Sequence, residues 1–163
     1  MEVETLRLLS KEGKEFQITK KASELSLLLK NAKEEMGEDD VIPLEIEEKT
    51  LEKVIEYLKK WNGESATEIE KPLKSSILKE VTDEWSSDFI DEMDLEMLSN
   101  LTVAANFLEI VPLLDLCCAK LASMCKDKSE EDIFKSFGIV DTFSEEERQK
   151  IKDDNKWIEE NLN

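Results

Sequence analysis

Residues 95–125 read LEMLSNLTVAANFLEIVPLLDLCCAKLASMC, and this stretch has the highest density of apolar residues in the chain. Its apolar side chains recur at helical spacing, and Asp94 and Pro112 stand where helices commonly begin. We therefore predict two consecutive helices that form the hydrophobic core, preceded by a short helix starting near residues 86–88. The core-facing positions are Leu95, Leu98, Leu101, Thr102, Ala105 and Leu108, then Leu113, Leu114, Cys117, Leu121 and Met124.

The chain before this core predicts a small sheet and further helices. Residues 3–18 alternate in polarity around a glycine turn, which is typical of a β-hairpin. A helical face follows over Lys20–Glu35, and a short β-branched run containing Pro43 suits an edge strand. A strongly amphipathic helix ends at Asn62-Gly63. The segment after it lacks apolar periodicity and alternates in charge, so we expect a mobile acidic loop at about residues 64–80.

The chain after this core predicts a separate pair of helices. Ser129 is a candidate N-cap, Gly138 a helix stop, and Ser144 with Glu147 a capping box for a last helix that reaches about Asn161. We therefore divide the chain into a domain of residues 1–125 and a helical segment of residues 126–163. That segment contains many large apolar residues for its length: Ile133, Phe134, Phe137, Ile139, Phe143, Ile151, Trp157 and Ile158.

Two readings of these apolar residues are open. They could fold back onto the rest of the chain, or they could form an exposed face for a partner. Trp157 follows a polar run and does not join the Ile151 and Ile158 stripe. Because buried tryptophans are enriched among energetically dominant interface residues, we interpret Trp157 as a binding hot spot.

Composition argues against several classes of function. The 163 residues include 22 basic and 40 acidic side chains, for a formal charge of −18, which disfavours nucleic acid and anionic membrane as partners. Histidine is absent, which removes the Ser/His and Cys/His nucleophile–base pairs. Cys117, Cys118 and Cys125 lie in one apolar stretch, and we expect reduced, buried thiols. We predict neither a metal site nor a cofactor, because the glycines are scattered and the acidic runs do not match a calcium loop.

No targeting segment is evident in the sequence. Met1–Glu4 has no basic region followed by an apolar one, and runs such as Leu101–Leu108 are far shorter than the ~20 residues of a membrane span. We expect a cytoplasmic and/or nuclear protein.

Seven pieces of sequence, in order along nearly the whole chain, match a known family. The chain resembles the S-phase-kinase-associated adaptor of SCF ubiquitin ligases, which binds F-box proteins. The matching pieces are Met36-Gly37 with the acidic run into Ile42-Pro43-Leu44; Trp85 with Phe89; Leu101 with Ala104-Ala105-Asn106-Phe107-Leu108-Glu109-Ile110; Leu113-Leu114-Asp115; Ile133 with Phe137-Gly138-Ile139; Phe143-Ser144-Glu145-Glu146-Glu147; and Asp154-Asn155-Lys156-Trp157.

The resemblance implies an α+β fold: a BTB/POZ domain, with a small β-sheet flanked by helices, followed by a two-helix C-terminal extension for dimerisation and F-box binding. It implies a non-catalytic adaptor that bridges F-box substrate receptors to the N-terminal domain of a cullin in ubiquitin-dependent protein degradation. It also implies a surface through which free copies could form a weak homodimer. By position, Asn106 and Phe107 would face the cullin. The F-box side would comprise Leu114, Leu121, Ile133, Phe137, Ile139, Phe143 and Trp157.

Some positions depart from the family pattern and keep alternatives open. Where the family often has Tyr, Phe107 lacks the hydroxyl, and the sequence Ser129-Glu130-Glu131-Asp132 has no proline for hydroxylation and glycosylation. One alternative is an F-box-binding structural subunit in cullin-independent assemblies. Another is a small acidic hydrolase with a buried carboxylate pair. A third is an elongin-C-like adaptor, whose chains end near the position of Cys125.

Overall fold

The alternating N-terminal segment forms the predicted hairpin in the computed structural model of the chain, which describes residues 4–35, 40–64 and 66–161. The first strand pairs antiparallel with the second and parallel with the third, so it lies in the middle of the sheet. Leu8 stands opposite both Phe16 and Ile42 and is fully buried. Pro43, which lacks a ladder donor, lies in an edge strand as predicted. The strands are β1 (Thr5–Leu9), β2 (Glu15–Thr19) and β3 (Val41–Pro43).

The prediction of one helix over Lys20–Glu35 is wrong, because two helices occupy this range: α1 (Lys20–Ser23) and α2 (Leu27–Glu35). The break lies at Ser26, whose hydroxyl accepts a hydrogen bond from the Leu29 N–H at 3.1 Å. Serine favours such N-cap geometry over a helix interior. The predicted stop at Gly37 and the acidic residues 38 and 39 lie outside the described residues.

The amphipathic helix is α3 (Glu48–Trp61), and its apolar stripe is buried. It ends as predicted at Asn62, which adopts a left-handed conformation with φ 44° and donates its N–H to the Leu58 carbonyl at 2.8 Å. Gly63 follows with φ 81°, and a Cβ there would approach the Lys21 carbonyl oxygen to 2.6 Å. This position therefore requires glycine for both conformation and space.

The acidic segment after α3 is attached to the domain at several points. Ile69 and Leu78 are buried, and Leu78–Glu80 forms a 3-10 turn. The Lys71 ammonium lies 2.8 Å from an Asp115 carboxylate oxygen. The predicted mobility of this loop stays a prediction, but two apolar side chains hold it against the core.

The quoted core stretch forms the two predicted helices, and a shorter helix precedes them. The short helix begins at Glu84 rather than near 86–88, because Asp83 accepts a hydrogen bond from the Ser86 N–H and caps it. Asp94 caps the next helix, and Pro112 lies in the first turn of the third, as predicted. The helices are α4 (Glu84–Asp91), α5 (Leu95–Phe107) and α6 (Val111–Cys125).

The expectation that all three cysteines are buried is wrong. Cys117 is buried, Cys125 is half-buried and Cys118 is exposed. Adjacent residues of a helix point about 100° apart, so Cys118 leaves the core face on which Cys117 lies. Burial raises the pKa of the Cys117 thiol to about 12.

The chain divides into two units, residues 1–127 and residues 128–163. The second unit comprises α7 (Glu130–Phe137), α8 (Glu145–Asp154) and α9 (Lys156–Asn161). Ser129 caps α7, Gly138 ends it with φ 63°, and Ser144 with Glu147 forms the predicted capping box. The prediction of one continuous last helix is wrong, because the helix breaks at Asn155. The Asn155 side-chain amide donates a hydrogen bond to the Ile151 carbonyl at 2.7 Å, and so competes with the backbone hydrogen bonds of the helix.

The α+β class is confirmed. In the ranges that the structure describes, no helix is long and apolar enough to cross a membrane, and no group of three Cys, Asp or Glu side chains could hold a metal ion.

Candidate interaction surfaces

The C-terminal end of α5 presents both residues predicted to face a cullin. Asn106 is exposed, and 49% of the Phe107 side chain is accessible. The backbone under them is firmly held, because Leu108 and Ile110 are fully buried and the Ile110 N–H donates to the Ala105 carbonyl at 2.9 Å. The helix end is therefore a rigid platform with an exposed aromatic ring.

A pocket of about 340 Å³ lies beside Phe107. One wall is a single face of α5, with Asn100, Val103 and Ala104 at helical spacing from Phe107. The other wall combines the β1–β2 turn with the segment leading into α3. Its residues are Lys11, Glu45, Ile46, Glu47 and Thr50.

Sequence reasoning missed this pocket. The spacing of residues 100, 103, 104 and 107 would have placed them on one helical face. The sequence did not show that this face is exposed to solvent. Val103 lies in a run of core residues, and yet it is 68% exposed. The opposite wall comes from Lys11 and from residues 45–50, far earlier in the chain, which only the tertiary fold brings near.

Leu114 and Leu121, predicted for the F-box side, are both half-buried on α6. They lie seven residues apart and therefore share one helical face. Val111, 62% exposed, and Cys118, exposed, continue that face. Val111 and Cys118 were not predicted, although the same spacing pointed to them. The face forms an apolar stripe of Val111, Leu114, Cys118 and Leu121.

The second unit has little interior of its own. No side chain among residues 128–158 is fully buried. Ile133 and Phe137 of α7 are half-buried, whereas Ile139 and Phe143 after it are 51% and 57% exposed. Trp157 in α9 is 60% exposed, while its role in binding stays a prediction. The exposed Val140, Ile151 and Ile158 extend this apolar surface.

Polar contacts organise the second unit where apolar packing is sparse. The Arg148 guanidinium of α8 pairs with Asp141, in the segment between the helices, and lies 4.0 Å from Glu130 at the start of α7. These contacts join three parts of the unit. Ile139, Phe143 and Trp157 nevertheless remain more than half exposed.

Carboxylates lie together in two surface grooves, whereas the hydrolase alternative requires a buried pair. Glu68, Glu70 and Glu80 line one of them, and Asp115 joins Glu68 and Glu70 in another. The three glutamates are exposed, and two of them already have polar partners. Lys74 forms an ion pair with Glu70, and the Ser75 hydroxyl donates a hydrogen bond to Glu80 at 2.6 Å. A general acid needs an apolar pocket to raise its pKa, and these grooves do not provide one.

Two parts of the chain match models of a known protein family. Residues 4–63 match the Skp1 family, tetramerisation domain, and residues 111–158 match the Skp1 family, dimerisation domain. The POZ domain that the first match describes confirms the expected fold.

Several curated relatives align along almost the whole chain. An S-phase kinase-associated protein 1 homolog of Tetrahymena thermophila is 40% identical, over 95% of this chain and 94% of the relative. Suppressor of kinetochore protein 1 of Schizosaccharomyces pombe is 38% identical, over 95% and 98%. The E3 ubiquitin ligase complex SCF subunit sconC of Arthroderma otae is 36% identical, over 95% and 94%. Identities of 36–40% over 95% of the chain show that it belongs to the Skp1 family.

Proposed function

We propose that this protein is a non-catalytic adaptor of an SCF-type cullin-RING E3 ubiquitin ligase. It bridges F-box substrate receptors to the cullin, and so serves ubiquitin-dependent protein degradation. The adaptor contributes geometry rather than chemistry, since holding two partners on one chain raises their effective concentration.

The observation that carries this proposal is the uncovered apolar surface of the second unit. Its residues 128–158 include no fully buried side chain, yet they contain Phe143 and Trp157, each more than half exposed. Burying one tryptophan removes ~150–250 Å² from water, which corresponds to roughly 4–6 kcal/mol of gross transfer free energy. Trp157 is 60% exposed, so a partner that covers this surface would gain only the corresponding part of that free energy. The F-box is the partner that the family relationship indicates.

The two partners are assigned to different surfaces. We propose that Asn106 and Phe107 contact the cullin N-terminal domain. We propose that the F-box contacts the α6 stripe and the second unit. The residues proposed for the F-box side are Leu114, Leu121, Ile133, Phe137, Ile139, Phe143 and Trp157.

Reconstitution from purified components tests the proposal. The chain is mixed with an F-box protein and with a cullin N-terminal domain, separately and together, and the products are weighed by native mass spectrometry. We expect a 1:1:1 complex, and no complex of F-box protein with cullin when the chain is omitted. The adaptor function would be overturned if the chain failed to bind the F-box protein, or if it failed to bind the cullin.

A cullin-independent structural role is the second candidate, and Phe107 is the observation that favours it. Its ring is exposed but has no hydroxyl to donate a hydrogen bond to a cullin. Retained F-box binding, with no cullin binding in the same mass spectra, would establish this role instead.

Three further expectations accompany the proposal. We propose that the protein acts in the cytoplasm and/or nucleus, that the free chain forms at most a weak homodimer, and that it binds neither nucleic acid nor membrane. The charge of −18 supports the last of these.

A further inference from the structure

The charged segment after α3 runs beside the apolar stripe of α6. Asp115 follows Leu114 by one residue and precedes Cys118 by three, so its carboxylate borders that stripe on one side. The Lys71 ammonium donates a hydrogen bond to this carboxylate at 2.8 Å. That hydrogen bond raises the pKa of Lys71, and the nearby Cys118 and Glu68 act in the same direction. The segment therefore reaches the edge of the surface proposed for the F-box.

Lys71 is held at this edge by its neighbours in sequence. Ile69 is buried, and Leu73 is half-buried against the core. The side chains two residues before and two residues after Lys71 thus fasten the backbone that carries it. The Lys71 side chain itself is 70% exposed, so the segment and Asp115 fix its position, and burial does not.

A groove of about 550 Å³ lies between this segment and α6. Three carboxylates and two ammonium groups line the groove, so its charge is nearly balanced. The lining residues are Glu68, Ile69, Glu70, Lys71, Lys74 and Asp115. Since Asp115 both lines the groove and borders the α6 stripe, a partner that covers the stripe also approaches the groove.

The counter-charge of Asp115 matters once water is excluded. An exposed ion pair contributes little to stability, because water solvates both charges. A carboxylate that loses its water at an interface is costly unless a cation stays paired with it. Lys71 provides that cation within the chain, so the partner does not have to provide one.

We propose that residues 68–74 form a side wall of the F-box-binding surface, and that Lys71 neutralises Asp115 when an F-box covers the α6 stripe. The inference rests on the proposed adaptor function. It extends the F-box side to a segment whose Lys71 lies 44 positions before Asp115. The occupant is the F-box partner, because the wall and the groove are continuous with the α6 stripe. Since the wall carries its own counter-charge, it suits F-box partners that differ in sequence at this contact.

A double-mutant cycle tests the role of Lys71. Lys71→Ala should weaken F-box binding about tenfold in calorimetry, because Asp115 is then covered without its cation. Adding Asp115→Asn to that variant should restore most of the affinity, since no uncompensated charge remains. Lys71→Arg should bind like the wild type. The thermal unfolding midpoints should barely change, because the ion pair is exposed in the free chain.

The matched control is Lys79→Ala. Lys79 lies in the same charged segment and pairs with Asp88 of α4 at 2.8 Å. The substitution therefore removes the same charge and a similar ion pair, on a helix outside the proposed F-box side. The control should bind the F-box protein normally, and both lysine variants should retain full affinity for the cullin N-terminal domain.

Hydrogen exchange tests the wall directly. The backbone amides of residues 68–74 should exchange several-fold more slowly when the F-box protein is bound, because a covered segment opens less often. The cullin N-terminal domain should leave their exchange unchanged. Exchange that the F-box protein does not slow would remove this segment from the interface and overturn the inference.

The outcomes separate this inference from the adaptor function. If the wild-type chain binds the F-box protein and Lys71→Ala binds equally well, the inference is overturned while the function stands. If Asp115→Asn does not restore affinity, or if the control loses as much affinity as Lys71→Ala, an unpaired Asp115 is not the cause, and the inference is likewise overturned. If the wild-type chain binds no F-box protein, both fail together.

Discussion

The Ser26 hydroxyl donates a hydrogen bond of 2.5 Å to the Leu108 carbonyl, across 82 positions of sequence. The same oxygen accepts a hydrogen bond from the Leu29 N–H at 3.1 Å. One buried side chain therefore caps α2 and also provides a donor for a backbone carbonyl at the end of α5. Leu108 directly follows Phe107. Ser26, near the N-terminus of the chain, therefore helps to fix the end of α5 that carries the residues proposed to contact the cullin.

Removing this hydroxyl should destabilise the domain. We expect Ser26→Ala to lower the free energy of unfolding by about 1–3 kcal/mol, because a buried carbonyl loses its donor and α2 loses its cap. Denaturant unfolding at equilibrium measures this. The control Ser99→Ala, at an exposed position of α5, should change stability by less than about 0.5 kcal/mol. Equal effects of the two substitutions would contradict the role assigned to Ser26.

The two proposed surfaces should be separable by mutation. Asn106→Lys combined with Phe107→Ala should abolish cullin pull-down and keep the F-box partner, because both side chains are exposed and neither supports the core. Loss of both partners together would mean that the surfaces are misassigned.

Trp157 should matter for binding and not for folding. We expect Trp157→Ala to weaken F-box binding by at least ~2 kcal/mol, as measured by calorimetry. The thermal unfolding midpoint of the free chain should barely change, since 60% of the side chain is already exposed. Lys150→Ala, at an exposed position of α8, is the control and should bind normally. Unchanged affinity of the tryptophan variant would remove it from the interface.

The buried thiol should make the fold sensitive to alkali. Burial raises the pKa of Cys117 to about 12 from its ordinary 9.0, so the unfolded chain releases this proton at lower pH than the folded one. Burial of the protonated thiol therefore contributes to the free energy of unfolding in full below about pH 9, and this contribution is lost as the pH rises towards 12. Tyr57, whose pKa burial also raises, acts in the same direction.

The contribution of Cys117 can be isolated by comparing variants. Between about pH 8 and pH 10.5, the wild type should lose about 1–2 kcal/mol more unfolding free energy than Cys117→Ala. The exposed-site control Cys118→Ala should behave like the wild type. An identical pH slope in all three proteins would contradict the burial of this thiol.

Local signals in the sequence predicted much of the fold. The caps at Asp94, Ser129 and Ser144 and the stop at Gly138 depend on hydrogen bonds between near neighbours, and the structure shows each of them. The failures at Ser26 and Asn155 have a common reason. Each side chain bonds to the backbone and breaks a helix that apolar spacing alone would continue.

The candidate site was predicted only in part. The residue pattern of the C-terminal segment led to Trp157, a family resemblance led to Phe107, and the structure adds the exposure of both. The pocket beside Phe107 could not be predicted, because Ile46 and Val103 lie on segments that no local pattern connects.

By itself, the sequence determined the acidic charge, the family and the order of strands and helices apart from the breaks at Ser26 and Asn155. Propensity and capping act over a few residues, so local patterns report them. Tertiary structure alone decided which apolar side chains remain in water. Val103 and Cys118 sit in the most apolar stretch of the chain and are exposed, whereas Ile69 in the acidic loop is buried. Burial depends on which distant segment covers a side chain, and contacts between distant segments leave no periodic trace in the sequence.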